Sequence, residues 1–563
     1  MNSPSIGKYL LLLLLPAGPM ALPAQQDMKI LTNQVGYETL KSKRAVIVAP
    51  GPVPVADIEL VNLGTGKPVF HTAAVYSGPV QRWKKGVFYT IDFSGFRGAG
   101  SYCLRARVHG SDICSHPFII EEDVLEQFTL SDVLYYLKGQ RCSGLFDQAD
   151  HRLMPNGQPG PPLDVHGGWY DATGDYGKHL SHLSFSSFFN PQQISLTVWS
   201  LFKSYALLKD KPEKGFRQIK RRMLDEAMYG ADYLVRIQAR GGSFYRSVSA
   251  PGPGKLAKDR VIRPEDKGYR IRQSADQSLS SGSAENNWRS YQSSFRSGAG
   301  MAIAALAMAS TYDTSGDFSP GDYLKAAENA FEFLDSNNES MTNDGKENIL
   351  DDYCALSAAT ELYRATGHEK YKKAADKRAS NLVGRLCSWE HYQDYWRADG
   401  KDRPFFHPSD AGLPVISLLY YYPLASPGFQ QQIKAVLKRS LDFELALTRE
   451  VNNPFGYSRQ LVQDTAGLRH SAFFSRMAVK PLPGGRVKTP GFPPWLRLPG
   501  LPAGCLQPKT RSGTAWSILP QTSSTGFVAS IRLMPVCCRA GDTIIPSMVF
   551  LGLLNMPMHP AGL

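Results

Sequence analysis

Residues 167–178 read GGWYDATGDYGK, setting Asp171 and Asp175 four positions apart beside Trp169 and Tyr170. Two acids next to flat aromatic rings suit glycoside hydrolysis, in which one carboxylate activates or holds a water while another group protonates the leaving oxygen. Gly167 and Gly168 let the backbone approach a ligand, and Trp169 and Tyr170 offer faces on which sugar rings stack. The same composition also reads as an Asx-rich turn capping the next helix, or as a calcium loop.

Such a stretch is neither helix nor strand, so other elements must position it. Residues 29–120 alternate apolar and polar over short runs (RAVIVAP, ADIELVNL, GVFYTIDF, SYCLRARV) between Gly, Pro and Asn turns, the pattern of a small β-sandwich. Cys103 and Cys114 flank a hairpin there, either as a disulfide or as free thiols. After Glu121 the apolar period becomes 3.6. It predicts helices near 124–141, 192–208, 216–239, 295–312, 321–337, 351–366, 369–386, 410–422 and 428–447. Loops 142–190, 240–293 and 388–409 join them, and long loops on a helical scaffold are where a site is expected.

Several segments carry a family resemblance. NQVGY (33–37) resembles the opening of the immunoglobulin-like domain that precedes many family 9 glycoside hydrolases, the cellulase group. GGWYDATGDYGKHLSHLS resembles the catalytic-base motif of that family, and SFRSGAGMAIAALAMAS (294–310), HPSDAGLPV (407–415) and NPFGY (453–457) are similar to further segments of it. The resemblance spans roughly residues 29–475. It implies a mainly α fold, an (α/α)6 barrel behind an all-β immunoglobulin-like sandwich, and an inverting mechanism on β-1,4-glucans. It also implies Asp175 as general base and Asp171 as co-holder of the water, with Trp169, Tyr170 and His179 as sugar contacts; His407 is read from its own HPSD loop as a further sugar contact. For His407 a loop cap is the alternative. Thr173 departs from the family pattern by adding one residue between the two acids.

The family's general acid is a Glu near the C-terminus, yet no Glu occurs from Arg476 onward. Those 88 residues carry thirteen Pro, nine Lys or Arg, a single acid (Asp542), and Cys505, Cys537 and Cys538. Back-translated and read from the third base, residues 483–492 can give Trp-Trp-Gln-Gly-Glu-Asn-Ala-Arg-Ile, and residues 534–548 give a second family-like segment at the same offset. A frameshift between Phe474 and Pro483 is therefore expected, with impaired activity.

The resulting division is a signal peptide at 1–24, the sandwich at 27–120, an incomplete hydrolase domain at 121–475 and an out-of-frame tail at 476–563. Lys8, the apolar run Tyr9–Leu15 and the exit at Leu22, Pro23 and Ala24 carry the export reading, secreted or periplasmic. The net charge of +13 falls to 54 basic against 49 acidic residues outside the tail, which argues against nucleic acid as partner. A monomer without a membrane span, acting on a β-glucan, is expected. No cofactor is required and no metal ligands are assigned, with structural calcium left open. The alternatives are a non-catalytic carbohydrate-binding protein and another (α/α)6 polysaccharide-degrading enzyme.

Overall fold

The computed structural model describes residues 28–473 apart from 56, 82–85, 109, 156–159, 172–174, 182–189, 212, 253, 265–287, 343, 408 and 465. The segment expected to direct export, the tail expected to be out of frame, and Thr173 lie outside the described residues.

Ten strands build the sandwich: β1 Lys29–Leu31, β2 Tyr37–Glu38, β3 Arg44–Ala49, β4 Ile58–Asn62, β5 Pro68–Thr72, β6 Ala74–Gly78, β7 Val87–Asp92, β8 Gly100–Val108, β9 Ser111–Cys114 and β10 Phe118–Glu121. One sheet runs β1-β3-β7-β6, and the other β2-β10-β8-β4-β5 with β9 on β8. In β8 the period of two turns Tyr102, Leu104, Ala106 and Val108 inward. β3 is apolar on both faces for a different reason. Ala45 and Ile47 point into the sandwich, whereas Val46 and Phe88 pack against Phe455 of the helical domain. Cys103 and Cys114 are both free thiols.

Glu38 joins the two domains. Its carboxylate accepts the backbone N–H groups of Asp123 (3.0 Å) and Val124 (2.8 Å), where α1 (Val124–Gln140) begins, so the sandwich supplies a negative charge to the helix start.

After a short α2 (Gly144–Asp150) come α3 (Ile194–Leu208), α4 (Glu213–Arg236), α5 (Gly300–Ala309), α6 (Pro320–Met341), α7 (Ile349–Thr366), α8 (Glu369–Val383), α9 (Leu413–Tyr421) and α10 (Pro427–Arg449). The contacts run α3 to α5 to α7 to α9, with α4, α6 and α8 against them from outside and α1 beside α4. This alternation is the architecture of an (α/α)6 barrel. The inner helices are apolar nearly all round; every residue of α5, GMAIAALAMA, is buried. Small side chains bring α5 and α7 together: a Cβ on Gly300 would meet the Cβ of Cys354 at 2.6 Å.

The helix expected at 295–312 is shorter. Residues 295–299 form a π turn in which Gly298 has φ 113°. A Cβ there would lie 2.5 Å from the Cβ of Leu180, so the turn makes room for the chain just beyond His179.

Candidate active site

The loop bearing the two acids is anchored at both ends by main chain. Gly168 and Tyr170 pair with the end of α1: Cys142 N–H donates to Gly168 O (2.8 Å) and Tyr170 N–H to Gln140 O (2.9 Å). Gly167 and Gly168 both adopt left-handed φ, at 81° and 73°. A Cβ on Gly168 would lie 2.9 Å from the Tyr233 ring, so glycine is required there for conformation and for space. The loop closes where Asp171 N–H donates to Gly177 O at 2.8 Å, after which β11 (Lys178–His179) pairs with β12 (Ser247–Val248).

Beneath the loop lies a fully buried charge cluster. Lys178 Nζ contacts Asp150 Oδ2 at 2.7 Å and donates to the carbonyls of Val165 (2.7 Å) and Gly167 (2.8 Å). Arg260 Nε pairs with Asp150 Oδ1 at 2.9 Å, and its Nη1 donates to Tyr176 O at 2.6 Å. All three side chains are 0% exposed. Burial pulls the Lys178 ammonium below its ordinary value, opposed chiefly by the Asp150 charge. Two cations against one anion leave positive charge under a loop that carries two carboxylates.

Asp171 accepts a hydrogen bond from Gln193 Nε2. Gln193 itself is 3% exposed and stands at the N-terminal end of α3. Asp175 is exposed, and its Oδ1 accepts the Gly177 N–H at 2.9 Å. A Cβ on Gly177 would fall 2.6 Å from His179 Nε2 and 3.1 Å from Asp175 Oδ1, so imidazole and carboxylate flank this glycine. The other ring nitrogen of His179 is hydrogen-bonded to Ser247 Oγ. A small cleft is lined by Tyr136, Gln140, Trp169, Tyr170, Asp171, His179, Gln193 and Thr197.

The structure thus gathers Asp171, Tyr170 and His179 on one cleft, with Asp175 on the same loop. Two of the expected sugar contacts are buried. Trp169 is 3% exposed: its indole N–H goes to Glu226 Oε1 (2.8 Å), Arg141 binds that carboxylate through two nitrogens, and the ring fits over Gly230 of α4. It is floor, not platform. His407 is fully buried, and its Nδ1 accepts the backbone N–H groups of Ser409 (3.2 Å) and Asp410 (2.9 Å), the loop-cap alternative. Burial lowers its pKa, against the pull of Asp410. Asp410 Oδ2 in turn accepts the Gln192 N–H at 3.0 Å, so this loop supports the start of α3 from behind.

Sequence reasoning passed over Gln193, Asp150, Lys178 and Arg260. Lys178 lay inside the quoted motif, but its partners are distant in the chain. Two clusters have ligand types for a cation among the described residues: His151, Asp164 and His166, and Asp57, Glu59 and His71. In the first, Nδ1 of His166 and His151 lie 2.6 and 3.4 Å from Asp164 oxygens, a nitrogen-rich set unlike the all-oxygen cage Ca²⁺ prefers.

Comparison with known proteins matches two regions of the chain. Residues 127–400 match "Glycosyl hydrolase family 9" and residues 25–111 match "Cellulase N-terminal ig-like domain". A xyloglucan-specific endo-beta-1,4-glucanase of Bacteroides ovatus is 24% identical over 395 residues, covering 63% of this chain and 60% of that protein. The chain therefore spans about three fifths of the length of this curated relative. Among solved structures, "Bacteroides ovatus GH9" is 18% identical, covers 76% of this chain and 75% of its own, and has a TM-score of 0.49. A metagenome-derived family 9 endoglucanase is 20% identical, with 77% and 75% coverage and a TM-score of 0.47.

Proposed function

We propose, from the match of residues 127–400 to glycosyl hydrolase family 9, that the protein hydrolyses β-1,4 bonds of cellulose-type or related β-glucans, with inversion, outside the cytoplasm. One observation carries the reading: Asp171 and Asp175 stand on a single closed loop at a cleft walled by Tyr170, His179 and Gln193, above a buried cluster of net positive charge. In this reading Asp175 takes the proton of the attacking water and Asp171 holds that water, its own carboxylate fixed by Gln193. The relative named for xyloglucan supports a β-1,4-glucan backbone as substrate. The protein acts as a monomer, the reaction uses no cofactor, and a structural cation would serve the loops alone. Among the described residues no helix is long and apolar enough to cross a membrane.

No Glu follows Glu450, and a missing general acid costs about 10² to 10⁴ in rate. That same fact favours a second reading, a carbohydrate-binding protein without turnover.

The test is to incubate the full chain, Asp175→Asn and Asp171→Asn with soluble β-glucan and xyloglucan. Reducing ends are counted and the anomer of the first product is read by NMR. The hydrolase reading expects the α-anomer first, loss of turnover with Asp175→Asn and severe impairment with Asp171→Asn. A first-formed β-anomer, or an Asp175→Asn protein at wild-type rate, would sink it. Glucan binding without reducing ends selects the second reading, and an unsaturated sugar product would indicate a lyase.

A further inference from the structure

Tyr176 directly follows Asp175, and its side chain is 43% exposed. It is nevertheless held firmly. Its ring stacks on Phe146, with centroids 4.7 Å apart and planes 20° from parallel. Tyr170 meets it edge-on at 5.2 Å and 89°, and meets Phe146 at 6.1 Å and 80°. Phe146 carries the Arg260 guanidinium 5.2 Å from its centroid. Arg260 also donates to the Tyr176 carbonyl and pairs with buried Asp150, so one buried cation fixes both the backbone of Tyr176 and the ring beneath it.

Single exposed aromatic side chains are ordinary on protein surfaces. Tyr176 differs in two respects: the neighbours that restrict its ring are themselves pinned, and it stands next to a candidate catalytic carboxylate. A ring whose motion is already restricted loses little entropy when a ligand covers it. A β-linked glucose unit carries its hydroxyls around its edge and axial C–H bonds on its faces. Such an apolar face matches the electron-rich face of an aromatic ring. Of the two rings that sequence alone favours for this task, Trp169 and Tyr170, the first is buried.

We infer that Tyr176, braced by Phe146 and Tyr170, is a stacking platform for one pyranose unit of a β-glucan chain at the rim of the carboxylate loop. The inference rests on the glucan reading above. It adds a subsite on the side of the loop where Phe146 lies.

Binding tests it without requiring turnover. The full chain is titrated calorimetrically with cellohexaose, alongside Tyr176→Ala, Tyr176→Leu, Tyr176→Phe and, as a distant exposed tyrosine on the sandwich, Tyr76→Ala. Tyr176→Ala should weaken binding by about three- to tenfold, the scale of one aromatic stacking contact. Tyr176→Leu keeps apolar bulk over Phe146 but has no flat ring, and it should bind as poorly as Tyr176→Ala. Tyr176→Phe and Tyr76→Ala should stay within about twofold of the parent. A Tyr176→Leu protein that binds like the parent, or a Tyr176→Ala protein within that twofold band, overturns the platform alone. A parent chain that binds no cellohexaose overturns the glucan reading and the platform with it.

Discussion

The side-chain amide of Gln193 donates to the carboxylate of Asp171, 22 residues earlier, tying the first turn of α3 to the first acid of the loop. Behind that turn Asp410 holds Gln192, and His407 holds Asp410, so the orientation of Asp171 is set by four residues from two distant segments. Gln193→Ala leaves the charge of Asp171 in place but releases its geometry. Turnover should fall by about ten- to hundredfold, less than in Asp171→Asn, with KM little changed. Gln193→Glu puts a second carboxylate against Asp171 and should raise the acid limb of the pH–rate profile. Unchanged steady-state kinetics in both variants would reduce the contact to packing.

Lys178→Met should be among the most damaging substitutions outside the two acids. It leaves Gly167 and Val165 carbonyls without their donor and Asp150 with one cation in place of two. Removing a partner from a buried ion pair typically costs about 3–5 kcal/mol. Urea denaturation gives the value, and a loss below about 1 kcal/mol would mean that water enters the cluster and replaces the ammonium.

Acid should weaken the support behind α3. Burial holds the His407 pKa below its ordinary 6.5, so below that pH the unfolded chain takes a proton that the folded imidazole refuses. Stability is then lost as pH falls through 6.5 toward the lowered folded value. Comparing denaturation at about pH 7.5 and about pH 5.5, the drop should be smaller in His407→Gln than in the parent. Equal drops would assign the acid sensitivity to other groups.

Gly230→Ala tests the burial of Trp169. The new methyl would sit 2.4 Å from the indole Cη2 and 2.5 Å from Val198 Cγ2, so either the ring or α4 must move. Overpacking of this kind costs about 1–3 kcal/mol. The displacement should alter near-ultraviolet circular dichroism; an unaltered spectrum with parent stability would contradict the packing described.

Much of this arrangement is legible from local pattern. The period of two in β8 and the 3.6 period of helices such as α8 and α10 report which face is buried, so the sandwich and the expected helices appear close to their observed ranges. Local pattern cannot report what a distant segment brings. Trp169 beside two glycines reads as an exposed platform, and only Gly230 on α4 turns it into floor. Asp150 and Arg260 are 110 residues apart, and nothing near either announces the other. α2 is only seven residues long, too short for its period to show. The grouping of His151 with His166 likewise depends on the chain folding back between them.

The packing of Phe88 against Phe455 has a consequence for synthesis. The apolar outer face of β3 and β7 finds its cover only when residues near 455 emerge; Asn452, which donates to Pro79 O, follows it by 373 positions. At ribosomal rates of about 5–20 residues per second, that interval is roughly 20 to 75 s. Throughout it the newborn sandwich offers Val46 and Phe88 to whatever is nearby, so the period of greatest stickiness is set by the translation clock rather than by the sandwich's own folding speed.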